Sequence, residues 1–208
     1  MYQRILVPLD GSAQAEAAIP YAARIPSEWV RLLKVEPVVS DVAPAVGAPS
    51  ADLDRAGASL VAGGRVVEPA VARGDPAEEI VRMAADVDLV VMTTRGHGAG
   101  GRLVFGSVAD RVARHAPVPT LIVRGGDDPV APVPFARIVV PLDGSPTAER
   151  ALPVASGLAR PLGVPVHCLA VAEVVGVDGT LARVLPAGIY DAGLETARRE
   201  AGDRVAMA

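Results

Sequence analysis

The chain has 208 residues, of which 50% are apolar and 3% aromatic, and it carries a formal net charge of −4. This acidic, aromatic-poor composition provides neither a basic stripe for a phosphate backbone nor platforms for base stacking, so a nucleic acid polymer is not expected as a partner. Apolar runs end well before the roughly 18 residues of a membrane span, and no secretory signal pattern opens the chain, so we expect a cytoplasmic protein without a membrane segment.

The opening of the chain occurs twice. Residues 4–22 (RILVPLDGSAQAEAAIPYA) return as residues 137–155 (RIVVPLDGSPTAERALPVA), each 133 positions later. A constant offset through a strand, a turn and the start of a helix indicates that a whole supersecondary unit was duplicated. We therefore predict a first domain over residues 1–124, a linker rich in proline and glycine over 125–136, and a partial second domain over 137–208.

Apolar runs predict five strands in the first domain, at residues 5–9, 30–35, 65–72, 89–93 and 120–124. Helical spacing of apolar residues predicts a helix after the first strand, at residues 15–23. A proline followed by two glutamates predicts a helix over 75–85, and Ser107 as N-cap with Asp110 as its capping-box partner predicts one over 106–115. This alternation predicts a doubly wound α/β fold around a parallel sheet.

Two loops are expected to meet at one edge of that sheet, because open parallel sheets bind ligands beyond the carboxyl ends of their strands. One is the turn over residues 8–12. The other covers residues 93–107 (TTRGHGAGGRLVFGS), which contain five glycines and lead into a helix. Glycine lets the backbone approach a ligand, and the free amides of a helix N-terminus attract anions. A phosphate group is the predicted occupant.

Taken together, these residues resemble the universal stress protein family. The resemblance rests on an aspartate after the first strand, on a loop of pattern G, two residues, G, nine residues, G[ST] after the fourth, and on the run SVADRVARHAPVPTLIV. It spans residues 1–124 and resumes at 137. In this chain Gly96 is the second glycine of the loop, whereas Thr93 stands where the family has the first.

The resemblance implies a strand order of 3-2-1-4-5 and a site for ATP with Mg²⁺ or Mn²⁺. Pro8 and Leu9 would line the nucleoside, and Asp10 would contact the ribose or a phosphate-bound metal ion. The backbone of Val35 would read the adenine. Gly96, Gly106, Ser107 and the Val108 amide would hold phosphates, and Arg95 would add charge. The remaining members of the implied site are Met92 and Thr93, whose hydroxyl can itself donate a hydrogen bond.

The second copy is predicted to be incomplete. Val171 corresponds to Val35 at an offset of 136, so the counterpart of the glycine-rich loop would lie beyond Ala208. We predict two strands, a helix between them and a helix over 190–205, without strands three to five or a phosphate loop. This copy alone is not expected to form a nucleotide site.

Other chemistries are not indicated by the sequence. Gly96, Gly98 and Gly101 spell GxGxxG, yet the dinucleotide fingerprint belongs after the first strand and opens a helix at once. No P-loop, no GxSxG and no recognisable pairing of a nucleophile with histidine and carboxylate occurs. We therefore expect a regulator rather than an enzyme, with slow metal-dependent ATP hydrolysis as the most it could catalyse.

Two functions stay open at this point. In the first, the chain is an ATP-binding stress-response module. In the second, it has the same fold without useful nucleotide affinity and acts as an interaction or dimerisation scaffold; an Asx turn and helix cap at Asp10, Gly11 and Ser12 would suit either. The apolar last strand, Thr120–Arg124, predicts a homodimer joined along that edge.

Overall fold

The structure is a computed structural model and describes residues 2–37, 51–94, 106–124 and 134–170. The chain divides into two compact units, Met1–Pro134 and Phe135–Ala208. Their boundary falls inside the segment predicted as a linker. None of the helices in the described part of the chain has the length and hydropathy of a membrane span.

The first unit is a five-stranded parallel sheet with helices on both faces, and the predicted strand order is confirmed as β3-β2-β1-β4-β5. Helices α4 and α5 cover one face, where they pack on a cluster that includes Leu6, Leu33 and Val90. Helix α3 packs on the other face, where Gly57 approaches Leu32 and Val67. In chain order the elements are β1 (Arg4–Leu9), α1 (Ala13–Glu16), α2 (Ile19–Arg24), β2 (Trp29–Glu36), α3 (Ala51–Ala62), β3 (Val66–Arg73), α4 (Pro76–Ala84), β4 (Leu89–Thr94), α5 (Ser107–His115) and β5 (Thr120–Arg124).

Strands β1 and β4 are adjacent where the strand order reverses, but their hydrogen-bond ladder is short. Strand β1 pairs with β2 at all six of its residues and with β4 only at its second and third. The carbonyl of Arg4 accepts the N–H of Asp88 at 2.9 Å, so Arg4, Leu6 and Pro8 face β4, because alternate residues of a strand face the same neighbour. Proline has no N–H to donate. The ladder therefore ends before Pro8.

Each of the five predicted strands is present to within one residue at either end, and so are the helices predicted over 75–85 and 106–115. The single helix predicted over 15–23 is wrong. It is divided into α1 and α2 because Pro20 cannot donate to the carbonyl of Glu16 and its ring conflicts with that carbonyl. Helix α3 was not predicted for the first domain, and the predicted helix over 190–205 lies outside the described residues.

The predicted capping of α5 is also wrong. Gly106 is the N-cap, with extended backbone angles (φ −61°, ψ 150°), and Ser107 is already the first helical residue. Asp110 does not reach back to the cap. It forms an ion pair with Arg114 one turn later, at 3.0 Å. The start of α5 consequently has no side-chain cap.

The second unit repeats the beginning of the first. Its described elements are β6 (Ile138–Leu142), α6 (Pro146–Glu149), α7 (Ala151–Leu162) and β7 (Val166–Ala170). Strand β6 pairs with β7 in parallel, with Ile138 opposite Val166, as Ile5 is opposite Val30 in the first unit. The separation of the paired residues is three residues larger, which confirms the predicted offset of 136 for the second strand.

Equivalent sheet positions differ in burial between the two units. Leu6 and Leu33 are 0% exposed beneath α4 and α5. Their counterparts Val139 and Leu169 are 50% and 51% exposed. The described part of the second unit has no helix over this face, so its side chains remain in contact with solvent.

This difference predicts a contrast between two matched substitutions. Leu6→Ala should lower the free energy of unfolding of the first unit by about 2–5 kcal/mol, because it leaves a cavity under α4 and α5. Val139→Ala at the equivalent position should change stability by less than about 1 kcal/mol. Urea unfolding of the full chain measures both. Equal losses for the two variants would contradict the assignment of buried and open faces.

Candidate functional site

A cavity of about 480 Å³ opens at the carboxyl ends of β1 and β4, where the ladder between them has ended. Nine residues of the implied site line it: Pro8, Leu9, Asp10, Val35, Met92, Thr93, Gly106, Ser107 and Val108. Arg95 and Gly96 lie outside the described residues. Ser12 and Thr94 also line the cavity and belong to the two loops predicted to meet there, although neither was given a role of its own. Sequence reasoning missed the rest of the described lining, which is Gln14, Ala15, Leu33, Pro76, Ile80 and Ala109.

The turn after β1 is held by its own side chains. The Asp10 Oδ1 atom accepts hydrogen bonds from the Ser12 amide at 2.9 Å and from the Ser12 hydroxyl at 2.6 Å. The Ser12 Oγ atom in turn accepts from the Ala15 amide at 3.1 Å and caps α1. Gly11 has φ +84°, a conformation that favours glycine. The aspartate is therefore fixed at the rim of the cavity by an Asx turn.

The same turn occurs in the second unit. The Asp143 Oδ1 atom accepts from the Ser145 amide at 2.8 Å, and the Ser145 hydroxyl accepts from the Ala148 amide at 3.1 Å. Gly144 has φ +80°. The Asx turn and helix cap considered for Asp10, Gly11 and Ser12 are thus present, and the second copy has the same geometry, but the described lining of the cavity comes only from the first copy. The turn on its own does not define a site.

The N-terminus of α5 lies in the cavity with its amides free of helical partners. The first hydrogen bond within the helix runs from the Asp110 amide to the Gly106 carbonyl, at 2.9 Å. The amides of Ser107, Val108 and Ala109 precede it, and all three residues line the cavity. Three such N–H groups and the positive end of the helix dipole form a favourable place for an anion.

An ion-pair cluster joins α4 and α5, two of the helices that contribute to the lining. Asp75 caps α4 by accepting from the Glu78 amide at 3.0 Å, and its two carboxylate oxygens accept from Arg111 of α5, each at 2.9 Å. The hydrogen bond from the Glu78 amide, reinforced by Arg111, holds the pKa of the Asp75 carboxyl below its ordinary value. The cluster positions the starts of α4 and α5 relative to each other.

The lining suits a ligand that is partly apolar and carries negative charge at one end. Leu9, Val35 and Met92 provide apolar surface, and the start of α5 provides donors. Asp10 is the one charged side chain among the described lining residues. No group of three or more histidine, cysteine or acidic residues suited to a metal ion occurs in the described part of the chain. A divalent cation there would need ligand phosphates and water besides Asp10.

Two threonines end β4. Thr93 lines the cavity at the position of the missing motif glycine. Thr94 also lines it, is 4% exposed and has a buried hydroxyl without a hydrogen-bond partner in the described part of the chain. A buried hydroxyl of this kind is rare in folded proteins. The sequence signal for Thr94 is only its place at the end of a buried strand.

The Asp75 cluster predicts a pH-dependent stability. Because the pKa of Asp75 is lower in the folded chain than in the unfolded chain, its charge stabilises the fold at neutral pH, and this contribution is lost as the pH falls through the folded-state pKa. Asp75→Asn keeps a good N-cap but loses the charge. It should therefore unfold at lower urea concentration than wild type at pH 7, with the gap closing below about pH 4.

Urea unfolding of both proteins between pH 7 and pH 3 measures the gap. A gap that stays constant over this range would show that the charge of Asp75 does not contribute to stability.

Comparison with known proteins gives one consistent result. The universal stress protein family matches residues 1–124 and 134–206. A universal stress protein of Thermus aquaticus is 35% identical over 138 residues, which cover 60% of this chain and 100% of that protein. A universal stress protein of Mycobacterium tuberculosis is 35% identical over 108 residues, which cover 50% of this chain and 36% of that protein. The chain thus spans about a third of the length of the mycobacterial relatives it matches.

A solved structure described as a universal stress protein in complex with cAMP aligns with a TM-score of 0.51 and 26% identity, over 60% of this chain and 99% of that one. The family match covers both units, and the strand order and the paired Asx turns agree with a duplicated unit. The chain belongs to the universal stress protein family.

Proposed function

We propose that this chain is a cytoplasmic stress-response regulator that binds an adenine nucleotide, ATP with Mg²⁺ or Mn²⁺, between the carboxyl ends of β1 and β4. One observation carries the proposal. Residues from β1, β2, β4 and the start of α5, separated by up to a hundred positions in the sequence, line one cavity at the point where the strand order reverses. This is the place where open parallel sheets bind ligands. The cAMP complex of a relative supports an adenine nucleotide as the ligand class.

Different described residues would bind the phosphates, the nucleoside and the cation. The amides of Ser107 and Val108 would donate to phosphate oxygens at the positive end of α5. Leu9, Val35 and Met92 would bury the apolar faces of the nucleoside. Asp10, held by Ser12, would accept from a ribose hydroxyl or contact the cation. The cation would neutralise phosphate charge, and the protein would contribute a single carboxylate to it.

Binding rather than catalysis is the proposed activity. The described lining offers one carboxylate and several hydroxyls, and its only carboxylate is already engaged by Ser12. A general base needs a titratable group within hydrogen-bond reach of the reacting atom. We infer that occupancy by the nucleotide is the signal, and that slow hydrolysis would be incidental to it.

A scaffold without useful nucleotide affinity is the second candidate, and Thr93 is the observation that favours it. A residue with a side chain stands where the family motif has a glycine, and this residue lines the same cavity. A Cβ and a methyl group at that position reduce the room for phosphates. The hydroxyl of Thr93 offsets this because it can donate to a phosphate or a ribose oxygen.

Ser107→Pro tests the proposed phosphate site. Proline is well tolerated at the first helical position, and the backbone of Gly106 (φ −61°, ψ 150°) is one that precedes proline readily. The change removes one amide donor without unwinding α5. We expect it to weaken ATP binding by about tenfold or more in calorimetry, because it removes a hydrogen bond to a charged group. Ser107→Ala keeps the amide and is the matched control.

Three results are possible in that experiment. Wild type and Ser107→Ala binding more tightly than Ser107→Pro would support the phosphate site. Equal binding by all three proteins would place the phosphates elsewhere. No heat from wild type with ATP at about millimolar concentration would overturn nucleotide binding and favour the scaffold.

We also propose that two copies of the chain pair along β5. This strand ends the sheet, and within the described residues only β4 lies beside it. The Val90 amide donates to the Pro119 carbonyl at 3.0 Å, so odd-numbered residues of this segment face β4 and Ile122 faces away from it. An apolar strand with one unpaired edge can add a strand from another chain.

This proposal predicts that wild type sediments at twice its chain mass of 21.2 kDa. Ile122→Pro removes an outward amide while leaving the bonds to β4 in place, so this variant should sediment as a monomer. A monomeric wild type at micromolar concentration would contradict the dimer.

A further inference from the structure

Thr94 is the one described cavity residue whose polar group is both buried and unpaired. It is the last residue of β4 and is 4% exposed. Its Oγ1 atom is buried and makes no hydrogen bond within the described part of the chain. A hydroxyl in this state has lost its bonds to water without replacing them, which destabilises the fold. At the edge of a binding cavity, a group of this kind indicates that its hydrogen-bond partner is an atom of the ligand.

The position of Thr94 narrows down which part of a ligand it meets. Alternate residues of a strand point to the same face. Met92 belongs to the buried cluster formed with α4 and α5, next to Ala109 and Val112. Thr94 therefore lies on the α5 side of the sheet, and Thr93 lies on the opposite side. Ser107, Val108 and Ala109 at the start of α5 line the same cavity.

We propose that the Thr94 hydroxyl donates a hydrogen bond to a phosphoryl oxygen of the nucleotide and so joins the α5 amides in one oxyanion-binding set. The inference rests on the proposed nucleotide site and adds to it a residue to which no role was given from the sequence. It makes Thr94 a determinant of specificity, because a buried donor favours a ligand that supplies an acceptor over one that does not. Nucleotides should gain from this contact, and adenosine should not.

Thr120 provides a matched control within the same strand pair. It pairs with Val90 at one end of the β4–β5 ladder, whereas Thr94 pairs with Arg124 at the other. The Thr120 hydroxyl is likewise buried without a partner in the described part of the chain, but the residue does not line the cavity. Replacing either threonine with valine removes the same atom. Only the substitution at Thr94 should change the affinity for the nucleotide.

The experiment uses the full chain and three variants, Thr94→Val, Thr94→Ser and Thr120→Val. Calorimetry measures their affinities for ATP with Mg²⁺ and for adenosine, and thermal unfolding measures each protein without ligand. Because Thr120 belongs to β5, along which two copies are proposed to pair, the sedimentation of Thr120→Val should first be shown to match that of wild type. Should Thr94→Val fail to fold, Thr94→Ala replaces it.

We expect Thr94→Val to bind ATP about tenfold more weakly than wild type and adenosine equally well. Thr94→Ser and Thr120→Val should bind both ligands as wild type does. Without ligand, Thr94→Val and Thr120→Val should melt roughly 2–4 °C above wild type, since each loses an unpaired buried hydroxyl. A structural role for Thr94 would instead lower the melting temperature.

Four results would overturn the inference. Wild-type affinity of Thr94→Val for ATP would show that the hydroxyl does not bind the ligand, while the proposed nucleotide site would stand. Equal losses for ATP and adenosine would place the contact on the nucleoside. A Thr94→Val melting temperature below wild type would reveal a partner in the free protein. A wild type that binds no ATP would remove both this inference and the proposed function.

Discussion

Pro8 stands in the central strand of the sheet at the position whose amide would next bond to β4. Prolines inside sheets are normally confined to edges and bulges because they break the ladder. Here the ladder between β1 and β4 stops after its second pair, and the cavity begins where it stops. Asp10 of the turn, the two threonines that end β4 and the first residues of α5 all line the cavity at this point.

The two units show which parts of this arrangement are general and which are particular to the first. Asp10 and Asp143 form the same Asx turn, and both units divide the following helix ahead of a proline. The turn is therefore a property of the repeated sequence. The two units differ in burial. Helices α4 and α5 cover Leu6, whereas its counterpart Val139 has no helix over it in the described part of the second unit. The candidate site lies between β1 and β4. In the described part of the second unit, β6 is the counterpart of β1 and has only β7, the counterpart of β2, beside it.

The sheet could be predicted because short apolar runs between turn residues mark all five described strands of the first unit. The residues of the cavity came from the resemblance to universal stress proteins, which rests on the spacing of Gly96, Gly106 and Ser107 and implied nine of the described lining residues. The sequence predictions failed where another residue overrode a local preference for a helix or for a cap. Pro20 divides a segment whose apolar spacing is helical throughout, and Gly106 takes the cap position for which serine is the better residue. Thr94 could not be singled out because the burial of its hydroxyl without a partner depends on tertiary packing, which the neighbouring residues in the sequence do not show.

The proposed function requires that a nucleotide occupies the gap between β1 and β4 with its phosphates at the start of α5. Amide chemical shifts of the labelled full chain, followed by NMR during titration with ATP and Mg²⁺, test it most directly. We expect the largest changes at Ser107, Val108 and Ala109, with further changes in the turn at Asp10. Shifts confined to residues 138–170, or none at about millimolar ATP, would contradict it.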